Sequence, residues 1–250
     1  MGVYEGRRAV VVGGTHGMGL GVVEELLAGG ARVVLTGNND ENLEAVRGRL
    51  GPDVLAVRAN AADLADTGAL ADSVREHLGG IDFLHVNVGV SGFAPVAEAS
   101  EESYDWMFSV NAKGAFFTVQ RLLPLLADGG SIVFTTSVTN LTGSAGMGVY
   151  SGTKAALGAF SRVLASELLP RGIRVNTVAP GFIHTPSGGF THATEAEKAE
   201  MERIGDEATP MKRHGTIAEV ARAVLFLGFE ATFTTGVELA VDGGLGQSLQ

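Results

Sequence analysis

The chain has 250 residues, 45% of them hydrophobic and 18% charged, with a formal net charge of −10 and no cysteine. Such a balance belongs to a globular chain, works against broad binding to nucleic acid or an anionic membrane, and excludes disulfides and thiolate metal sites. The opening MGVYEGRRAVVVGG lacks the apolar stretch of a signal peptide and no run approaches the ~20 apolar residues of a membrane span, so a cytoplasmic protein is expected.

Short β-branched runs alternate with helical patterns along the chain. A strand at 9–12 leads through a glycine-rich turn into a helix at 19–28. A strand at 32–36 precedes a helix at 41–49, and one at 54–58 precedes a helix at 67–77. Next come a strand at 84–88, a long helix at 101–127, a strand at 131–136 and a helix at 150–169. A strand at 174–178 opens onto an irregular stretch, 181–210, with a short helix at 195–204. A helix at 217–227 and a strand at 239–241 follow. Near-continuous apolar strands suit a parallel sheet covered on both faces. The alternation predicts an α/β fold: one Rossmann-type, doubly wound parallel sheet of about seven strands, with helices on both faces. Residues 1–250 read as one domain, with 181–210 as a substrate-binding lid.

The turn after the first strand is Gly13-Gly14-Thr15-His16-Gly17-Met18-Gly19. Glycines allow a tight turn and a close approach to a pyrophosphate, and a helix N-terminus offers free N–H groups and partial positive charge. Its position between a strand and a helix makes it a candidate dinucleotide cradle.

Tyr150 and Lys154 lie one helical turn apart on one face, so their side chains can approach. A free tyrosine titrates near ~10, high for acid/base work at neutral pH. An ammonium about 5 Å away, at an effective dielectric of about 20, is worth ~3 kcal/mol, or roughly two pKa units. That pair alone is also an ordinary surface pair. With the cradle and Ser137, which ends a strand at the carboxyl edge of the sheet, the catalytic reading prevails. Asn111 lies in an apolar helix face, either as a satisfied core amide or as part of a relay.

These segments together resemble the short-chain dehydrogenase/reductase family. Gly13, Gly17 and Gly19 match its T-G-x-x-x-G-x-G motif, with Val12 in place of Thr. Val86-Asn87-Val88-Gly89 partly matches N-N-A-G, Asn111-Ala112-Lys113-Gly114 matches N-x-x-G, and Thr136-Ser137 matches the serine pair. Tyr150-Ser151-Gly152-Thr153-Lys154 is similar to Y-x-x-x-K, Pro180-Gly181 with Thr185 to P-G-x-x-x-T, and Val241-Asp242-Gly243-Gly244 to the family's tail. The resemblance implies an NAD(P)-dependent oxidoreductase of the carbonyl reductase or alcohol dehydrogenase type. It carries hydride between nicotinamide and a small ketone, aldehyde or secondary alcohol. Tyr150 is the implied acid/base, beside Ser137, Lys154 and a relay residue, Asn111. The implied cofactor contacts are Gly13, Thr15, His16, Gly17, Met18, Gly19, Asn60, Ala61, Asn87, Gly89, Tyr150, Lys154, Pro180, Gly181, Ile183 and Thr185. A homotetramer, or a dimer, through paired long helices is also implied.

Gly37 stands where the family's NAD-selecting acid is expected, and Asn38 where a phosphate-binding arginine often appears. Glycine leaves room for a 2′-phosphate, and Thr36, Asn38 and His16 can donate to it, so NADP(H) is favoured over NAD(H). Asp40 reads better as a first-turn acid of the following helix. The histidines show no metal-ligand spacing, so no metal is expected. His184 and His192 read as loop residues, 195–202 as the polar face of a lid helix, and Trp106 and Met107 as core or interface. Segments 90–96, 139–149 and 181–210 carry substrate selection, and their small, moderately apolar character points to a neutral substrate. A non-catalytic dinucleotide-binding sensor or scaffold on this fold is the alternative.

Overall fold

The structure is a computed structural model that describes residues 2–51, 54–186 and 194–247. His192 lies outside the described residues. In chain order the main elements are β1 (Arg8–Val12), α1 (Gly17–Ala28), β2 (Arg32–Gly37), α2 (Asp40–Leu50), β3 (Val54–Arg58), α3 (Leu64–Leu78) and β4 (Ile81–Val86). Then come α4 (Glu101–Phe108), α5 (Ala115–Leu122), β5 (Leu126–Thr135), α6 (Gly148–Glu167), β6 (Arg174–Pro180), β7 (Ile183–His184), α7 (Glu195–Ala208), β8 (Gly215–Thr216), α8 (Ile217–Leu225) and β9 (Glu238–Val241).

Seven strands form one parallel sheet in the order β3-β2-β1-β4-β5-β6-β9, as the alternation predicted. Along β1, side chains alternate between two cores. Val10 and Val12 join Leu70 and Val74 of α3, Val119 of α5 and Leu157 of α6 on one face. Ala9 and Val11 join Val22 and Leu26 of α1 and Val220 and Val224 of α8 on the other. Covering both faces removes water from the central strands, which is why they are mostly apolar and their few polar residues, such as His85 and Asn176, are buried.

The register fixes where the site lies. Val12 of β1 pairs with Val86 of β4, and Val86 pairs with Phe134 of β5. Thr135 then pairs with Val178 of β6. Strand order reverses between β1 and β4, and there the chain leaves the sheet on both sides of one crevice. Gly13, Asn87 and Thr136 therefore emerge together.

Some boundaries differ from the sequence expectation. The helix expected over 101–127 is broken into α4, a π-helical turn at Ser109–Gly114, α5 and a 3-10 turn at Leu123–Leu125. Pro124 lacks the N–H that a continuing helix needs. At the end of the π turn a Cβ on Gly114 would overlap the carbonyl of Ala61, so the helix passes directly against the segment after β3. The small pair β7–β8 was not anticipated; Ile183 and His184 meet Gly215 and Thr216 in parallel. No helix among the described residues is long and apolar enough to cross a membrane.

Candidate active site

The cradle is built by the absence of side chains. Gly13 has φ 81° and Gly17 φ 55°, left-handed values that glycine adopts without strain. A Cβ on Gly13 would stand 2.9 Å from Val88 N, and one on Gly19 would overlap the Gly13 carbonyl. Thr36 holds the turn from below: its Oγ1 accepts from Gly13 N at 3.0 Å and its carbonyl accepts from Gly14 N at 2.9 Å. His16 precedes α1 without making a side-chain cap, so the helix N-terminus keeps donors for a ligand. This open backbone and partial positive charge suit a pyrophosphate.

From the cradle a cleft of about 270 Å³ runs towards β3, lined by Thr15, His16, Thr36, Gly37, Asn38, Asn60, Ala61, Asn87 and Gly89 among others. The room beside Gly37 is already occupied, contrary to expectation, because a Cβ there would lie 2.7 Å from Thr15 Oγ1. Asn38 and His16 are exposed along the same edge. Asn60 uses its side-chain carbonyl locally, accepting from Ala62 N at 3.1 Å. Asp40 is a first-turn residue of α2, as expected, and it also pairs with Arg58 at 3.1 Å.

Beyond β5 the polar residues converge. Lys154 is 3% exposed and donates from Nζ to Thr135 O at 2.9 Å. The same nitrogen lies 5.7 Å from the centre of the Tyr150 ring. Ser137 Oγ accepts from Thr139 N at 3.3 Å and from Thr139 Oγ1 at 3.1 Å. With its oxygen so occupied, its proton is the group left to offer, and the Ser137 side chain acts to draw the Tyr150 hydroxyl down. Asn111 is fully buried in the π turn: Oδ1 accepts from Val90 N at 2.7 Å, while Nδ2 donates to Val90 O at 2.8 Å and to Thr153 Oγ1 at 3.0 Å. The cluster meets the cradle at Gly89, where a Cβ would stand 3.1 Å from Lys154 Nζ.

The electrostatics correct a sequence expectation. Burial raises the Tyr150 hydroxyl above its ordinary value, and the Ser137 hydrogen bond opposes that rise. Burial also draws Lys154 down, to about 8. The predicted lowering of Tyr150 by Lys154 is therefore absent from the protein's own balance. The ammonium lies over the ring, bonded to a backbone carbonyl, and desolvation outweighs its influence.

A family model described as enoyl-(acyl carrier protein) reductase matches residues 12–246. The oxidoreductase asL5 of Sarocladium schorii is 35% identical across 97% of this chain and 96% of its own. The chain belongs to the short-chain dehydrogenase/reductase family. A 3-oxoacyl-[acyl-carrier-protein] reductase of Rattus norvegicus is likewise 35% identical, over 94% of this chain and 96% of its own. The crystal structure of a family member described as a glucose/ribitol dehydrogenase, from Brucella melitensis, superposes with a TM-score of 0.89 at 32% identity, covering 98% of each chain.

Pro180, Gly181, Ile183 and Thr185 lie at and after the end of β6. Pro180 closes β6, and Gly181 N donates to Val241 O at 3.1 Å. A Cβ on Gly17 would come within 3.9 Å of Thr185 Cγ2, so the segment after β6 returns over the cradle. Ile183 packs with the core on the α1 side, together with Met18. His184 pairs with Glu202 of α7 at 3.0 Å. Trp106 is 48% exposed and lines the cleft with Val110, whereas Met107 is buried in the core. Sequence reasoning also missed Leu70 and Thr118, which line the same cleft from α3 and α5. Their place within the helical patterns was the signal available, since a cleft floor and a core have the same pattern.

Proposed function

We propose that the protein is a nicotinamide-dependent oxidoreductase acting on a small neutral ketone or aldehyde, or on the corresponding secondary alcohol. The observation that supports it most directly is the convergence of Ser137, Tyr150 and Lys154 beside Gly89 and the cradle. A bound dinucleotide supplies or takes the hydride. In the reducing direction, Tyr150 gives its Oη proton to the substrate oxygen as negative charge develops there. The free proton of Ser137 stabilises that charge by hydrogen bonding. Lys154 then stands as the adjacent proton store, since a group titrating at about 8 exchanges protons readily near neutral pH. Asn111, whose amide is committed to Val90 and Thr153, fixes the π turn and holds the floor under Lys154. A relay to solvent then runs past its backbone, not its side chain.

NADP(H) is the favoured dinucleotide. No acid stands at position 37, and Asn38, His16 and Thr15 line the edge that would face a 2′-phosphate. Segments 90–96 and 139–149 contain no charged residue, which favours a neutral substrate. Phe93, Val96, Leu141 and Phe182 are exposed apolar groups around that mouth. We read 1–250 as one cytoplasmic domain with a lid at 181–210, metal-free. The apolar face of Phe108, Phe116, Phe117 and Phe160 on α4, α5 and α6 is the contact through which a homotetramer, or a dimer, forms. The test is Tyr150→Phe, assayed for NADPH oxidation with diacetyl, cyclohexanone, acetophenone and an acetoacetyl thioester. Turnover should fall ~10²–10⁴-fold, with NADPH affinity by fluorescence titration within about twofold. Unaltered turnover would overturn the role of Tyr150, and a preference for the thioester would overturn the small neutral substrate.

A further inference from the structure

A carboxylate from the far edge of the sheet reaches the turn that carries Ser137. Glu238 of β9 is only partly exposed, and a buried charge needs donors. It accepts from Thr136 Oγ1 at 2.9 Å, from Thr177 Oγ1 at 3.1 Å, and from Asn140 Nδ2 at 3.2 Å on both carboxylate oxygens. Thr136 is the residue before Ser137. Asn140 ends the 3-10 turn after it and donates its backbone N–H to Ser137 O at 3.1 Å. One carboxylate thus fastens both flanks of Ser137. No ion pair of Glu238 occurs among the described residues, so neutral donors hold it. The carboxylate lies beside α6, where a Cβ on Gly158 would meet Oε2 at 3.7 Å, an ordinary contact distance.

We infer that Glu238 is a positioning residue that holds the turn presenting the Ser137 hydroxyl to the site. The inference rests on the role proposed above for Ser137. A strand residue needed only to fill space at this place could be apolar. The carboxylate instead selects one geometry of the turn, because Thr136 and Asn140 can both reach it only when the turn is closed. Thr177 anchors the carboxylate to β6 from the other side, so the turn is referred to the sheet and not to solvent.

The test is a double-mutant cycle on the full chain with Ser137→Ala, Glu238→Ala and their combination, read as NADPH-dependent reduction of diacetyl, cyclohexanone and acetophenone. Glu238→Ala should lower kcat about tenfold or more, leave NADPH affinity within about twofold, and cost less than about twofold when Ser137 is already alanine. Glu238→Gln keeps an acceptor for both threonine hydroxyls and should recover most of kcat. Where Glu238→Ala does not fold, Thr136→Val makes the same test by removing the bond on one flank. An equal loss of kcat in both backgrounds would overturn the inference, as would no loss beside a large one for Ser137→Ala. An unchanged kcat in Ser137→Ala would instead remove the Ser137 role itself, and this inference with it.

Discussion

The turn after β1 and the cluster after β5 stand at one edge of one sheet, yet they are made in opposite ways. The first is made of missing side chains: Gly13, Gly17 and Gly19 leave backbone groups free, and its main partner, Thr36, comes from the neighbouring strand. The second is made of buried polar side chains, each held by a group remote in sequence. Lys154 is held by Thr135, Asn111 by Val90, and the turn of Ser137 by Glu238, whose bond to Thr136 spans 102 positions. The cradle fails when something is added to it. The cluster fails when a bond is taken away.

The largest effect should come from Lys154→Met, which keeps the length of the side chain and removes its charge. Turnover should fall by ~10²-fold or more, a size typical of losing a positioned proton-transfer group. Stability should change the other way, with a definite dependence on pH. The native pKa, about 8, lies below lysine's ordinary value of 10.5, so between those limits the unfolded chain binds more protons. Stability from this group therefore rises with pH across that window, and the cost of burying the charge is fully present below 8. Thermal melts at neutral and alkaline pH should show the variant's advantage at neutral pH shrinking as pH rises towards 10.5. A difference that stays flat or grows would show that Lys154 is not the group titrating there.

Legibility in the sequence divides along the same line. The alternation of strands and helices, the cradle and the Tyr150–Lys154 spacing are local patterns, and each could be read from adjacent residues. The need for glycine at Gly114 in the π turn could not, because the group it makes room for is the carbonyl of Ala61, about fifty residues away. Glu238 carries no signal in its own strand, since its donors come from Thr136, Asn140 and Thr177. The charge arithmetic for Tyr150 counted Lys154 and left out burial, which turned out to be the larger influence. The emptiness of Gly37 was visible, but the Thr15 side chain filling it was not.

That last contrast gives an intermediate effect. Gly37→Asp should weaken both dinucleotides, because the new Cβ must displace Thr15 before the acid can reach any ribose hydroxyl. Combined with Thr15→Gly, the acid has space, and preference should move towards NADH by about tenfold, the equivalent of ~1.4 kcal/mol. Titration of both variants with NADH and NADPH checks it. If the single variant already prefers NADH, Thr15 does not control access to this edge.

An effect on stability alone concerns the buried polar pair beneath the junction of the two regions. His85 Nε2 lies 2.9 Å from Thr135 Oγ1, and Thr135 Oγ1 donates to Asn87 Oδ1 at 3.1 Å. Since the hydroxyl has only one proton, it must accept from His85, which fixes Nε2 as the protonated nitrogen. Nδ1 is then a bare acceptor, buried without a partner. Burial holds the ring neutral, with its pKa drawn down to about 3. Thr135→Val would strand the Nε2–H in the core, a loss of ~1–3 kcal/mol. His85→Leu would remove the unpaired Nδ1 along with the donor, and Thr135 would still donate to Asn87, so its cost should stay below ~1 kcal/mol. The double variant should lie nearer to His85→Leu than to Thr135→Val, because taking away both partners leaves no stranded donor. Urea unfolding of the three proteins orders them. If Thr135→Val proved the milder single change, the tautomer would be the reverse of the one assigned, with Nε2 accepting and Thr135 no longer the donor to Asn87.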